Sequence, residues 1–348
     1  MKVYLAGTSV SSPKEEIIIQ QLFKKGHKLH SYFHCVHGFE KKWYRMNKKN
    51  KVDLFLDSGA FSAFTQKVEI DIMDYIAFIK KNDKHITHYS NLDVIGSAKG
   101  TLKNQQIMEK EGLTPIPVFH YGEDEKFLVD YLSKGYKYIS LGGMVPISTS
   151  ALIHWLDHLF TKYLTDKNGT PNIKVHGFGL TSFVLMLRYP WYSVDSTSWV
   201  VTGRLGSLFI PLYKDSKWQY NKPPLKIAVS SKSPNLKDAG KHIETLSPKQ
   251  KEVFLLFLKE KGYILGKSEF KKVSLDYELK ENEKWVGAKP KDKTKKRTVE
   301  IIIEKGVSNS YQLRDELNIL YYLELEKMLP KWPWKFKLAN SQNKLFNL

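Results

Sequence analysis

Three aspartates each follow an apolar run. Asp57 ends Leu54-Phe55-Leu56 and leads into Ser58-Gly59-Ala60-Phe61. Asp93 ends Ser90-Asn91-Leu92, and Asp195 ends Tyr192-Ser193-Val194. A fourth run, Ile139-Ser140-Leu141, ends on Gly142-Gly143. A carboxylate can act as a nucleophile, as an acid or base, or as the acceptor of paired N–H donors. Two carboxylates at one sugar carbon are what displacement with overall retention requires. Two histidines close further apolar runs: His120 before Tyr121-Gly122, and His176 before Gly177-Phe178-Gly179. Asp53 opens its run rather than closing it, so it reads as structural.

Chemistry presented at the same end of several strands requires parallel strands. Apolar stretches of four to eight residues alternate with helical stretches, the pattern of β/α units. Eight strands are expected at about 2–6, 28–33, 53–57, 86–92, 115–119, 137–141, 172–176 and 191–195. Helices are expected at 13–25, 70–81, 100–111, 124–134, 148–164 and 181–189, the first with Ser12 as N-cap and Pro13 at its first position. Eight strands in this rhythm predict a (β/α)8 TIM-like barrel, whose active site lies at the C-terminal rim. An open doubly wound sheet is the alternative.

Beyond Asp195 the rhythm changes. Val200 to Tyr220 suggests an irregular hairpin, and Leu225 to Val229 a strand. Ser247-Pro248 opens a helix that Gly262 can end, and Gln312 to Leu329 reads as another. Lys284 to Arg297 is lysine-rich and reads as an exposed loop. The expected organisation is a catalytic barrel over 1–220 and a basic, mainly helical C-terminal extension over 221–348.

Of the net charge of +19, roughly +8 lies in the first 214 residues and roughly +11 in the rest. That balance predicts a polyanionic partner, with phosphates gripped by the extension. Trp285, Trp332, Trp334 and Phe336 stand among its lysines, as stacking platforms for unpaired bases would. A solvated lysine-rich surface is the plainer alternative. No apolar run is long enough to span a bilayer. The single cysteine, Cys35, excludes an internal disulfide and suits a reducing cytoplasm.

The ordered set of motifs resembles the tRNA-guanine transglycosylases. Leu56-Asp57-Ser58-Gly59-Ala60-Phe61 resembles their Asp-Ser-Gly-Gly-Phe signature. Leu141-Gly142-Gly143-Met144 resembles their Leu-Gly-Gly-Leu turn, and His176-Gly177-Phe178-Gly179 their Met-Gly-Val-Gly. Asp195, with Arg204 nine residues later, resembles the stretch around the family nucleophile. The likeness covers about residues 50–220.

The resemblance implies base exchange on a nucleic acid, with no cofactor. Asp195 would be the nucleophile and Asp57 the general acid/base. Asp93 would read the N–H edge of a guanine-like base, and Phe61 would stack on that base. His120, Gly142, Gly143, His176 and Gly177 would complete the substrate pocket. His120 stands where the family often has glutamine, Ala60 replaces its second glycine, and Ser62 replaces its usual glutamine. The family's Cys-x-Cys-x-x-Cys zinc site cannot be built, because no cysteine follows residue 35. These departures favour the phage and bacterial branch that inserts 7-deazaguanines into DNA. The expected partners are DNA and a free 7-deazaguanine base, with no membrane and no metal; a phage-encoded protein would work in the host cytoplasm. The alternatives are a zinc-less enzyme acting on tRNA, a catalytically dead nucleic-acid-binding protein, and a metal-dependent barrel hydrolase with His120, His176, Asp93 and Asp195 as ligands.

Overall fold

The computed structural model describes residues 1–8, 18–19, 21–38, 40–180, 182–288 and 296–338. The chain folds as two compact units. One comprises Met1–Ser198 and Tyr322–Leu348, the other Trp199–Tyr321. The stretch expected as a C-terminal module is therefore shared between both units.

The first unit is built on eight parallel strands: β1 (Lys2–Ala6), β2 (His27–Ser31), β3 (Asp53–Asp57), β4 (His88–Tyr89), β5 (Val118–His120), β6 (Tyr138–Gly142), β7 (Lys174–Gly177) and β8 (Ser193–Ser196). Their order is β4-β3-β2-β1-β8-β7-β6-β5. The sheet curls so that its first and last strands in sequence, β1 and β8, are neighbours. Between β4 and β5 there is one parallel bridge, Ser90 to Ile116. Ile116 N–H donates to Tyr89 O at 2.9 Å, and Asn91 N–H donates to Ile116 O at 3.0 Å.

β3 shows how the sequence makes such a strand. Its side chains alternate between faces. Leu54 and Leu56 pack outward with Tyr44, Tyr75 and Ile79 of the helical layer. Phe55 packs on the inner face with Tyr4, Ala6, Leu29 and Ile116. The same period puts Asp53 and Asp57 on the inner face at opposite ends. Helices follow at Ile72–Asn82, Ala98–Lys110, Lys126–Ser133, Thr149–Leu159 and Phe183–Arg188, close to expectation. Asp71 caps the first of these and Ser148 the fourth through their side chains. The expected capped start at Ser12-Pro13 lies outside the described residues. Four helices were not expected: Tyr32–His37, Glu40–Asn50, Ala60–Thr65 and Ser198–Arg204, the last where the expected hairpin would begin. Two are only six residues long, below what periodicity can register.

At the N-terminal face of the sheet, Asp53 accepts from Lys2 Nζ at 3.0 Å and from His27 Nδ1 at 2.6 Å. His27 Nε2 reaches Glu326 at 3.1 Å. The C-terminal tail packs on this unit. Phe336 is buried against Phe160 and Tyr189, and its N–H donates to Gly169 O at 2.8 Å. Trp332 stands edge-on to Tyr192.

The second unit is mixed. Besides most of the helix Ser198–Arg204, the helix Pro248–Glu260 and the first part of Tyr311–Met328, it carries three antiparallel sheets among the described residues, which the expected helical extension did not include. β9 (Ser207–Ile210) pairs with β12 (Leu225–Ala228), and β10 (Leu212–Lys214) with β11 (Lys217–Gln219). β13 (Lys267–Val273) and β14 (Glu283–Val286) flank β15 (Arg297–Glu304). The expected loop thus begins as strand β14. Its lysines masked the run Val299 to Ile303, whose β-branched residues favour a strand. Ser247 and Gln250 form the capping box of the long helix. Phe254, Phe257, Leu258, Ile227 and Leu317 share its core. Arg297 lies over the Trp285 ring at 3.9 Å, so that face of the indole is taken.

Candidate active site

The strand ends bring Asp57, Asp93, His120, Gly142, His176 and Asp195 to the C-terminal edge of one curled sheet. Asp57 ends β3. Its Oδ2 accepts from Gly59 N–H at 3.0 Å. Gly59 has φ +79°, and a Cβ there would collide with Ser31 Oγ. Only glycine makes this turn, which begins the helix carrying Phe61. Phe61 is 60% exposed, and so is Phe64. Burial, followed by the neighbouring Asp93 and Asp195 carboxylates, pushes the Asp57 carboxyl up to about 8. The three aspartates therefore share one electrostatic environment, and Asp57 holds a proton at neutral pH.

Asp93 is clamped through both oxygens. Ser58 OH donates to Oδ1 at 2.8 Å, and His120 Nε2–H donates to Oδ2 at 3.0 Å. The other ring nitrogen of His120 donates to Glu123 at 3.3 Å, and its backbone N–H donates to the same carboxylate at 2.9 Å. Burial opposes charge on this imidazole, but Asp93 and Glu123 outweigh it and raise His120 to about 9. Asp93 thus faces a cation and keeps unused lone pairs on both oxygens, which suits it to accept paired N–H donors.

Gly142 lies against His120: a Cβ would approach the ring's Cδ2 to 2.8 Å. Any side chain there would push His120 off Asp93. Gly143 carries the following turn, beside the hydrogen bond from Tyr121 N–H to Gly142 O at 3.0 Å.

Asp195 is 6% exposed. Its Oδ1 accepts from Gly179 N–H at 2.8 Å and from His176 Nε2–H at 3.3 Å. His176 is fully buried, and its Nδ1 accepts from Ser193 OH at 2.6 Å. Tyr138 OH in turn donates to Ser193 Oγ at 2.5 Å. This chain of donors fixes the His176 tautomer and the orientation of the Asp195 carboxylate. His176 sits beneath the site, packed between Phe55 and Phe178. Its position is that of a support for Asp195 rather than of a group touching a base. Gly177 faces the Trp191 ring, so it serves packing.

Ser58, Glu123, Gly179, Ser193 and Tyr138 were not singled out from the sequence. Ser58 and Gly179 stood inside quoted motifs, and Glu123 falls three residues after His120. Ser193 stood in the run that ends on Asp195, but nothing in that run marked it or Tyr138 as a pair, because only the β6, β7 and β8 register brings them together.

The histidines and aspartates pair two by two, Asp93 with His120 and Asp195 with His176, rather than gathering as one ligand set. Among the described residues, His30, Cys35 and Glu40 do place three ligand atoms within 4.8 Å of one another. They lie buried on the outer side of β2. Glu40 is already engaged by His30 at 3.3 Å and by Ser31 N–H at 3.0 Å. The buried Lys28 ammonium acts on both Glu40 and Cys35. A fixed cation in the cluster opposes a metal ion, and the residues read as a buried ion network seating Glu40–Asn50 on β2.

Among the described residues, no helix is long and apolar enough to cross a membrane. No protein-family model, curated protein or solved structure matches the chain.

Proposed function

We propose that the protein is a DNA guanine transglycosylase, exchanging guanine for 7-cyano-7-deazaguanine or a derivative through a covalent aspartyl-sugar intermediate. The observation that carries this reading is the convergence of three strand-end carboxylates in distinct states. Asp57 is protonated at neutral pH, Asp93 is clamped beside a cationic histidine, and Asp195 is aimed by Gly179 and His176. The bridge between Ser90 and Ile116 supports reading the sheet as a closed (β/α)8 barrel with these groups at its rim.

The reaction balances on these residues. Asp195 attacks C1′ of the target nucleotide, and the C1′–N9 bond breaks. The leaving guanine takes the Asp57 proton. The incoming base returns a proton from N9–H to Asp57, and its N9 displaces Asp195 from C1′. Two inversions give retention. Asp93 accepts from the N1–H and exocyclic amine of either base. Phe61, exposed beside the site, offers a face for a base removed from its stack. The single cysteine, which is buried, suits a cytoplasmic enzyme.

The test is incorporation of labelled 7-cyano-7-deazaguanine or guanine into duplex DNA and into unmodified tRNA. Labelling of DNA is expected, together with its loss in Asp195→Ala and Asp195→Asn proteins that still bind nucleic acid. Labelling of tRNA alone would move the protein to the tRNA-modifying branch. Substantial turnover by either Asp195 variant would remove the nucleophile assignment.

A further inference from the structure

A dense run of positive charge lies in the first unit, outside the basic C-terminal stretch. Residues 41–51 carry six cations and no acid, against roughly +8 for the first 214 residues together. They form most of the helix Glu40–Asn50. Its apolar side is buried through Trp43 and Tyr44, and its one acid, Glu40, is turned inward to His30. Lys41, Arg45 and Lys49 are exposed and make no side-chain hydrogen bond or ion pair among the described residues. They recur every fourth residue, so they form one stripe with steps of about 6 Å. That step is comparable with the separation of successive phosphates along a nucleic-acid strand.

The stripe lines a shallow, open groove of about 480 Å³, bounded by Gly38, Lys41, Lys42, Arg45, Met46 and Lys49, all on this helix or just before it. Four of these six are cations and none is an acid. The helix begins at the rim that carries the candidate site, because Glu40 accepts from Ser31 N–H at the C-terminal end of β2. β2 is the neighbour of β3, which ends in Asp57. The preceding helix, Tyr32–His37, touches the Phe61-bearing helix through His34 and Ser62 at 3.3 Å.

We propose that this groove is a phosphate-binding track for the backbone of the substrate strand, leading it toward the C-terminal rim. The polymer rests on the function proposed above; the anion chemistry rests on the groove alone. A single row of cations at helical spacing fits one strand better than a planar bilayer surface, and no exposed apolar residue lines it for insertion.

The test compares two triple variants of the full chain, K41Q/R45Q/K49Q and the control K99Q/K103Q/K110Q. The control removes three exposed lysines from another helix of the same unit. Binding of a fluorescent single-stranded oligodeoxynucleotide is followed by anisotropy between about 50 and 200 mM salt. The groove variant is expected to bind about tenfold or more weakly, with a salt slope lower by about 2, since each lost single-strand contact removes about 0.7. Circular dichroism should be unchanged. Equal affinity and slope in the two variants would overturn the proposal. Loss of binding to phosphatidylserine-containing vesicles with oligonucleotide binding intact would do the same. Base exchange on the same preparations separates the two readings. Exchange by the wild type with an unaltered groove variant rejects only the track. A selective binding loss without any exchange by the wild type rejects only the proposed chemistry.

Discussion

Asp57 sets the pH dependence of the proposed reaction. Its carboxyl is raised to about 8 by burial and then by Asp93 and Asp195. The acid form, which the leaving base needs, is present below that pH and lost above it. The rate kcat/KM for exchange should therefore fall on the alkaline side of about 8. Asp93→Asn removes one of the raising charges, so the same limb should move to lower pH. An alkaline limb unmoved by that substitution would detach it from Asp57. Gly142→Ala is a second residue-level test. The new Cβ would meet the His120 ring at 2.8 Å and displace a charge-assisted hydrogen bond to Asp93. The expected result is a loss of about tenfold or more in kcat/KM through KM, with a stability loss of about 1–3 kcal/mol from the broken hydrogen bond. Wild-type KM in that variant would mean that His120 does not clamp Asp93 during binding.

At the scale of elements, the C-terminal tail belongs to the unit built on the curled parallel sheet. The aromatics Trp332 and Phe336, which read as candidate stacking platforms, pack instead against Tyr192, Tyr189 and Phe160. Met1 donates to Pro330 O at 2.6 Å, and Val3 N–H donates to Glu326 at 2.8 Å. Phe336→Ala should destabilise this unit by about 3 kcal/mol or more, the usual cost of emptying a buried aromatic site. Chemical denaturation followed by tryptophan fluorescence measures it. A change below about 1 kcal/mol would show that the tail is not part of the core. Removing residues from about 236 onward takes away this packing together with most of the second unit, so it alters both units at once.

For the whole molecule, folding stability is linked to pH through the network at the N-terminal face. Burial opposes charge on His27, but Asp53 and Glu326 outweigh it and raise it to about 9. Its contribution is complete below its unfolded value of about 6.5 and disappears as pH rises through about 9. Asp53 is held far below the usual carboxylate range by His27 and Lys2, against the effect of burial. Its contribution is present above about 4 and is lost in strong acid. Lys28, lowered to about 8 by burial, works in the opposite direction at alkaline pH. Comparison of the wild type with His27→Gln cancels that opposing effect. The stability difference should be largest near pH 6 and shrink toward zero above pH 9. A difference independent of pH would show that His27 acts through packing alone.

The sequence by itself determined the strands and their chemistry. Apolar runs closed by Asp57, Asp93, His120, Gly142, His176 and Asp195 were legible because strand burial and turn chemistry are local properties. The eight expected strands lie at or near the observed ones, and the Ser247 capping box forms where it was expected. The tertiary structure decided how these groups pair. Ser58 and His120 hold Asp93, while Tyr138, Ser193 and His176 line up behind Asp195. Those contacts join residues 17 to 55 positions apart, and only strand register creates them. The same holds for charge. Composition located most of the positive charge beyond residue 214, but burial of Glu40, Trp43 and Tyr44 turns the helix so that Lys41, Arg45 and Lys49 share one exposed stripe. A count of lysines carries no direction; a helix packed on a sheet does.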